Sequence, residues 1–283
     1  MTGPKVVALG GGHGTAVTLQ AARRYAADIT AIVSVADDGG SSGKLRQALG
    51  IPAPGDLRRC LVALSDPETN ALAQAFEHRF DDGHALGNLL IAGLTASTGS
   101  FIGALEAAAT LLEAKGTVLP ATVDPVVLKA VADCGEVEGQ VNVASAGRIT
   151  HVSIVPPDAE PPPEALEAIH RSDQLVLGPG SLFTSVLAVV AVPKIRQALA
   201  EADAPLVYLC NLRDSAETPG FDVAAHLHTL IAHGLEPDVV LYDPAHMDQG
   251  GCDTRCVEAD LTRPDGHGHD PAKLARALAD LLG

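Results

Sequence analysis

Tryptophan is absent from this sequence of 283 residues, and aromatic residues make up only 3% of it. Hydrophobic residues still reach 47%, ample for a core, which must then be built from Leu, Val, Ile and Ala. Basic side chains are also scarce, 19 against 35 acidic, for a formal net charge of −16. That balance argues against a nucleic-acid partner and against adhesion to an anionic membrane surface. No apolar run approaches the roughly 20 residues of a membrane span. The opening Met1-Thr2-Gly3-Pro4-Lys5 carries no signal-peptide pattern. Cysteines are few, odd in number and scattered (60, 134, 210, 252 and 256), so a cytoplasmic protein with free thiols is the simplest account. The length allows one large α/β domain or two small ones.

What the chain does have is a stretch of acid, glycine and hydroxyl, Asp37-Asp38-Gly39-Gly40-Ser41-Ser42-Gly43, after the apolar run Ile29 to Val35. Two carboxylates thus end a buried strand. Glycines let backbone N–H groups close on an anion, serines add hydroxyl donors, and aspartates hold Mg²⁺, a ribose hydroxyl or a proton. A Gly/Ser turn with solvated carboxylates is the plain alternative. Earlier in the chain Val6-Val7-Ala8-Leu9 runs into Gly10-Gly11-Gly12-His13-Gly14-Thr15, and a helical pattern follows from Thr15 to about Ala27. Strand, glycine turn and helix set an anion on a helix N-terminus. The turn approaches the dinucleotide fingerprint, with Thr15 where its third glycine belongs and Asp37 or Asp38 as the acid that ends the next strand.

Beyond the acidic loop, Pro54-Gly55-Asp56-Leu57-Arg58 opens a helix to about Ser65, with Asp56 suited to its N-cap and Arg58 to a solvated surface. A second helix is expected over Pro67 to Phe80. A long helical region from Gly83-His84-Ala85-Leu86-Gly87-Asn88 runs to about Lys115, breaking near Ser97-Thr98-Gly99. His84 and Asn88, four apart, share a helix face. Residues 116–156 alternate, through Thr117 to Pro120, Val137 to Val143 and Ile149 to Val155, and read as a small antiparallel β insertion. Helix Glu164 to His170 follows. Gln174 to Leu177 then ends in Gly178-Pro179-Gly180-Ser181-Leu182-Phe183-Thr184-Ser185, Leu206 to Cys210 in Asn211-Leu212-Arg213, and Asp238 to Leu241 in Tyr242-Asp243.

Five such β runs separated by helices imply an α/β fold: a Rossmann-like, mainly parallel sheet flanked by helices. The chain, 1–283, reads as one domain with a helical insertion at about 55–115 and the β insertion at about 116–156. Ligands of such sheets sit outside the C-terminal strand ends at a switch point, where the glycine turn, the acidic loop, Gly178 to Ser181 and Asn211 converge. Cys252, Cys256, His267 and His269 lack zinc-finger spacing and read as a polar loop before a last helix, Pro271 to Leu282. His226 and His228 do not share a helix face and take no role.

Taken in order, the segments Gly10–Gly14, Val35–Gly43, Pro54–Arg58, Gly83–Leu89 and Leu177–Ser185 resemble the YvcK family of bacterial proteins, the gluconeogenesis factors (UPF0052), in the wider CofD-like superfamily. His13, in place of the more usual threonine, resembles an actinobacterial variant. The resemblance implies a cytosolic regulator in carbon metabolism, cell shape and peptidoglycan synthesis that binds UDP-N-acetylglucosamine without catalysis or a required cofactor. It implies that Gly11, Gly12, His13, Gly14, Thr15, Gly178, Gly180, Ser181 and Thr184 meet the diphosphate. Asn211 and Arg213 would read base or ribose. Asp37, Asp38, Gly39, Gly40, Ser41, Ser42, Asp56 and Arg58 would face the distal sugar or a metal, with His84 and Asn88 closing the pocket. The regulated protein partner is not named by these residues; an Ala- and Leu-rich helical surface would suit a homodimer. One alternative is a CofD-like transferase that moves a phospholactyl group to a deazaflavin, with Asp37 or Asp38 binding Mg²⁺ or activating the acceptor. The other is an NAD(P)-binding oxidoreductase, against which Thr15 counts.

Overall fold

In the computed structural model, which describes residues 3–66, 69–252 and 255–283, β1 (Lys5–Gly10) leads through α1 (Gly12–Ala22) to β2 (Asp28–Val33). Helices α2 (Gly40–Leu49), α3 (Gly55–Leu64), α4 (Ala71–Glu77), α5 (Leu86–Thr98) and α6 (Phe101–Leu111) precede β3 (Thr117–Pro120). An excursion of β4 (Val127–Ala132), β5 (Gly135–Glu138), the short α7 (Gln140–Ala144) and β6 (Ile149–Val155) follows. Helix α8 (Pro163–His170) returns the chain to β7 (Gln174–Leu177), after which a π-helical turn (Leu182–Val186) continues into α9 (Leu187–Val190) and α10 (Pro193–Glu201). The remainder is β8 (Leu206–Leu209), α11 (Val223–Ala232), β9 (Val239–Tyr242), β10 (Arg255–Glu258) and α12 (Pro271–Asp280).

The main sheet has seven parallel strands in the order β10-β9-β8-β7-β1-β2-β3. Its central strands are buried on both faces, which is why they read as continuous apolar runs rather than alternating ones. The core is Leu, Val, Ile and Ala with a few large rings, Tyr208, Tyr242, Phe76 and Phe183, fully enclosed. The chain lays down β1, β2 and β3 toward one edge, then restarts with β7 on the other side of β1. The strand order therefore reverses between β1 and β7. Leu9 pairs with Leu177 there, so the loops beginning at Gly10 and Gly178 leave the sheet side by side.

Several expectations change. Thr117–Pro120 is not part of the small sheet: it pairs parallel with β2 as the edge strand, where the missing N–H of Pro120 is tolerated. The small antiparallel sheet is instead β5-β4-β6. Of the Val137 to Val143 run only its start is strand, because Gly139, at φ +91°, turns the chain into α7. Arg255–Glu258, read as part of a polar loop, adds a seventh strand by pairing with β9. Helix α1 begins at Gly12 and ends at Ala22, so the glycine turn is already its first turn. The acidic loop likewise turns helical at Gly40. The second helix starts at Ala71, capped by the Asn70 side chain, which accepts from the N–H groups of Leu72 and Ala73; Pro67 lies outside the described residues, as do Met1, Thr2, Asp253 and Thr254. The break between α5 and α6 falls at Gly99, left-handed at φ +69°, with Ser100 capping the second helix.

Candidate functional site

The two glycine loops at the reversal point touch. A side chain at Gly14 would place its Cβ 2.0 Å from the Pro179 carbonyl oxygen, so only glycine allows the approach. The Thr18 hydroxyl donates to the Gly178 carbonyl at 2.8 Å and fastens the loops together. Thr15 is buried and its hydroxyl turns back to the Gly11 carbonyl at 3.3 Å. Where a dinucleotide fingerprint has a third glycine, this chain has a self-closing hydroxyl. The N-cap of α1 is Gly11, which has no side chain to cap it, and the first turn holds no acidic residue. Its leading N–H groups are therefore available to an anion, apart from that of Gly12, which Asp56 accepts.

From this point a cleft of about 480 Å³ opens, lined by Gly14, Gly180, Ser181, Asn211, Arg213 and the segment His267–His269 among others. No partner for the Ser181 hydroxyl is found among the described residues, and Ser181 is half-buried. The Asn211 amide is engaged with the loop itself: its Nδ2 donates to the Gly180 carbonyl at 2.9 Å and its Oδ1 accepts the Gly180 N–H at 3.1 Å. Arg213 is exposed and donates from Nη2 to the Gly266 carbonyl at 2.6 Å. Thr184 does not face the cleft. Glu217, itself buried, accepts the Phe183 and Thr184 N–H groups at 3.0 and 3.2 Å and also the Thr184 hydroxyl. The π-helical turn rotates Thr184 inward, onto that carboxylate.

The acidic loop joins the first glycine loop through Asp56. This residue is not the N-cap of α3; that position is Pro54, and Asp56 lies inside the first turn. Its carboxylate meets Arg59 at 2.5 Å and sits where a Cβ on Gly11 would lie 2.7 Å from Oδ2. Burial raises the Asp56 carboxyl above its ordinary range; Arg59 opposes the rise and the neighbouring Asp37 charge adds to it. Asp37 and Asp38 diverge. Asp37 accepts the Gly39 N–H at 2.9 Å, whereas Asp38 turns to α7 and accepts the Val141 N–H at 3.0 Å. The carboxylates whose fields overlap are thus Asp37 and Asp56, and these are the groups that could share a cation.

Arg58 is not a surface charge; it is 1% exposed. It donates to Glu77 at 3.0 and 3.2 Å and to the Asn88 Oδ1 at 3.3 Å. Asn88 in turn donates to the Ser41 Oγ at 3.0 Å, which lies 2.9 Å from the His84 Nδ1. Four segments, at Ser41, Arg58, Glu77 and His84–Asn88, thus form one polar chain from Glu77 to His84. Ser42 is packed under Gly55, whose Cβ would come within 2.3 Å of its hydroxyl. Gly39 and Gly40 lead into α2, Gly40 at φ +47°. His13 is exposed; desolvation first, then the nearby Arg59 charge, lowers its pKa. Among the described residues no group of three or more metal-binding side chains is assembled.

Arg59, Glu77, Glu217 and His269 belong to the site region without having been singled out as ligand residues. Arg59 and Glu77 carry ordinary helix-surface signals, and Glu217 lies in an aperiodic loop. His269 was visible as a histidine pair with His267, but nothing in that spacing placed it in this cleft.

Comparison with known proteins gives a consistent result. Residues 6–273 match the family described as 2-phospho-L-lactate transferase CofD. The chain is 43% identical over 248 residues to a gluconeogenesis factor of Halalkalibacterium halodurans, covering 84% of this chain and 77% of that protein. It is 39% identical to a putative gluconeogenesis factor of Mycobacterium leprae, covering 97% of this chain and 85% of that one. A crystal structure of a UPF0052 family member from Bacillus halodurans superposes with a TM-score of 0.92 at 36% identity, over 98% of this chain and 99% of that one. Among the described residues no single helix is long and apolar enough to cross a membrane.

Proposed function

This chain belongs to the CofD-like family and, within it, to the gluconeogenesis factors (UPF0052), and from that premise we propose that it is a cytosolic regulator that binds UDP-N-acetylglucosamine without turning it over. In this role it would report nucleotide-sugar supply and link gluconeogenic carbon flow to cell-wall synthesis and cell shape. The observation that carries the reading is the pair of glycine loops at the strand-order reversal, opening into a cleft that continues past Ser181 and Asn211. A diphosphate suits the α1 N–H groups beyond Gly12 and the Gly178–Ser181 loop, because both offer fixed backbone donors in a protein whose net charge would otherwise repel an anion. The nucleoside then extends along the cleft, and the sugar points toward Asp37 and Asp56.

Calorimetric titration with UDP-N-acetylglucosamine, UDP and GDP, with and without Mg²⁺, tests it. Saturable binding of the UDP-sugar with no product after long incubation is expected. Ser181→Ala removes a hydroxyl from the cleft, and Asn211→Ala releases the Gly180 loop. Each should weaken binding by about tenfold or more, and unchanged affinity in both would sink the placement. A second reading, a transferase acting on a nucleotide-activated phospholactate, is favoured by the family match and by the overlapping fields of Asp37 and Asp56. Preference for GDP with Mg²⁺, or release of nucleoside monophosphate on adding a deazaflavin acceptor, would transfer the protein to that reading.

A further inference from the structure

The outer edge of the small sheet is closed by an imidazole rather than by a strand. In the order β5-β4-β6 one edge of β6 has no neighbouring strand. Val152, in the middle of β6, donates its N–H to His233 Nε2 at 3.1 Å. His233 is the C-cap of α11, and its Nδ1 lies 2.7 Å from the Thr229 carbonyl oxygen. Both partners are backbone groups with one role each, since an amide N–H only donates and a carbonyl only accepts. The ring therefore carries its one proton on Nδ1 and presents a lone pair at Nε2. A second proton would set two donors against each other 3.1 Å apart, and the bond to β6 would be lost.

The surroundings of the ring oppose that second proton. His151 of β6 stacks on it, with ring centroids 4.9 Å and planes 6° apart, and Phe183 of the π-helical turn meets it edge-on at 6.2 Å. Leu187 and Val190 of α9 and Arg196 of α10 line a cavity of about 240 Å³ together with both histidines. The charged or titratable groups that face His233 are thus His151 and Arg196. Burial, the largest cause, lowers the pKa of the ring; the charges of His151 and Arg196 add to this, and the Thr229 bond resists it. A histidine of this kind keeps its neutral contacts above the ordinary histidine range and loses them as pH falls below it.

The edge of β6 is connected to the acidic loop. Val152 pairs with Ala130 of β4, and the Leu128 carbonyl of β4 accepts the Gly139 N–H at 2.8 Å. Helix α7 starts from Gly139, and its Val141 N–H donates to Asp38 Oδ1 at 3.0 Å. A Cβ on Gly139 would fall 2.4 Å from Asp38 Oδ2, so the carboxylate is packed against this turn. Independently of the nucleotide reading, we propose that His233 is a proton-operated clasp. Neutral, it holds the small sheet to the body of the molecule and keeps Asp38 turned to α7. Protonated, it releases the edge of β6 and frees the Asp38 carboxylate from Val141.

Hydrogen exchange of the ligand-free protein at pH 7 and pH 5, corrected for intrinsic rates, tests this. Amides of β1 and β7 report global stability. Relative to them, Val152 and Val141 should lose protection together on acidification, by about fivefold or more. His233→Gln keeps an acceptor and does not titrate, so its small sheet should hold at both pH values. His151→Ala removes a charge and part of the cover of the ring, so release should move to higher pH. Because His151 is exposed, this variant tests the clasp even if His233→Gln does not fold. Wild-type protection that follows the core at both pH values overturns the clasp. So does a loss in His233→Gln equal to that of the wild type, or an unmoved release in His151→Ala. Loss at Val152 with none at Val141 overturns the link to Asp38.

Discussion

His226 lies wholly inside the core, where its Nδ1 is 2.8 Å from the Tyr208 hydroxyl and the edge of Phe221 packs against its ring. Burial pushes its pKa down to about 4. A histidine whose folded pKa is depressed contributes stability that is present above its unfolded value and lost as pH falls toward the folded one. The unfolded chain takes up the proton near pH 6.5 while the folded chain refuses it, so stability should fall by roughly 2 kcal/mol between pH 7 and pH 5 from this residue alone. His269 acts in the same direction and over the same window. Urea denaturation at both pH values checks the sign: His226→Phe should lower the pH dependence, whatever its effect on absolute stability. An unaltered slope would mean that the ring takes up its proton as readily in the folded chain as in the unfolded one. Residue identity made such sites visible but not their roles. In the sequence His226 takes no role and Arg58 suits a solvated surface, because burial by distant segments leaves no local pattern.

At the scale of elements, two glycines are fixed by backbone contact rather than by turn geometry. A Cβ on Gly14 would fall 2.0 Å from the Pro179 carbonyl, and one on Gly43 would fall 1.9 Å from that of Asp38. Neither neighbour is a flexible side chain, so the backbone itself must yield, at a cost of about 1–3 kcal/mol. Gly14→Ala should also lose nucleotide affinity because it parts the two loops. Gly43→Ala displaces only the N-terminus of α2 and should chiefly lower the melting temperature. Equal loss of binding in both would contradict this division. The strand–glycine–helix order was legible because fully buried parallel strands and glycine stops are local signals. Boundaries were less so. Helix α1 starts within the glycines because its first residues need no internal acceptor, and β10 escaped notice because an edge strand need not be apolar. The Asp38 bond to Val141 joins elements more than a hundred residues apart, which no periodicity encodes.

For the whole molecule, alternating strands and helices supplied the parallel sheet, but the side on which β7 restarts decides where the cleft lies, and connectivity alone does not fix it. Because β7 lies beside β1, one ligand can bridge the first half of the chain at Gly14 and the second half at Gly180. Hydrogen exchange can then locate each part of the ligand, since loop amides exchange by local opening whereas core amides follow global stability. UDP should protect 11–15, 178–181 and the 262–269 hairpin together. UDP-N-acetylglucosamine should add protection at 37–43, and at Val141 through Asp38. The exposed strand β5 should respond to neither. Protection confined to one half of the sheet would place the ligand away from the seam. Identical patterns for the two ligands would show that the sugar does not reach the acidic loop, which would leave Asp37 and Asp56 to a different substrate.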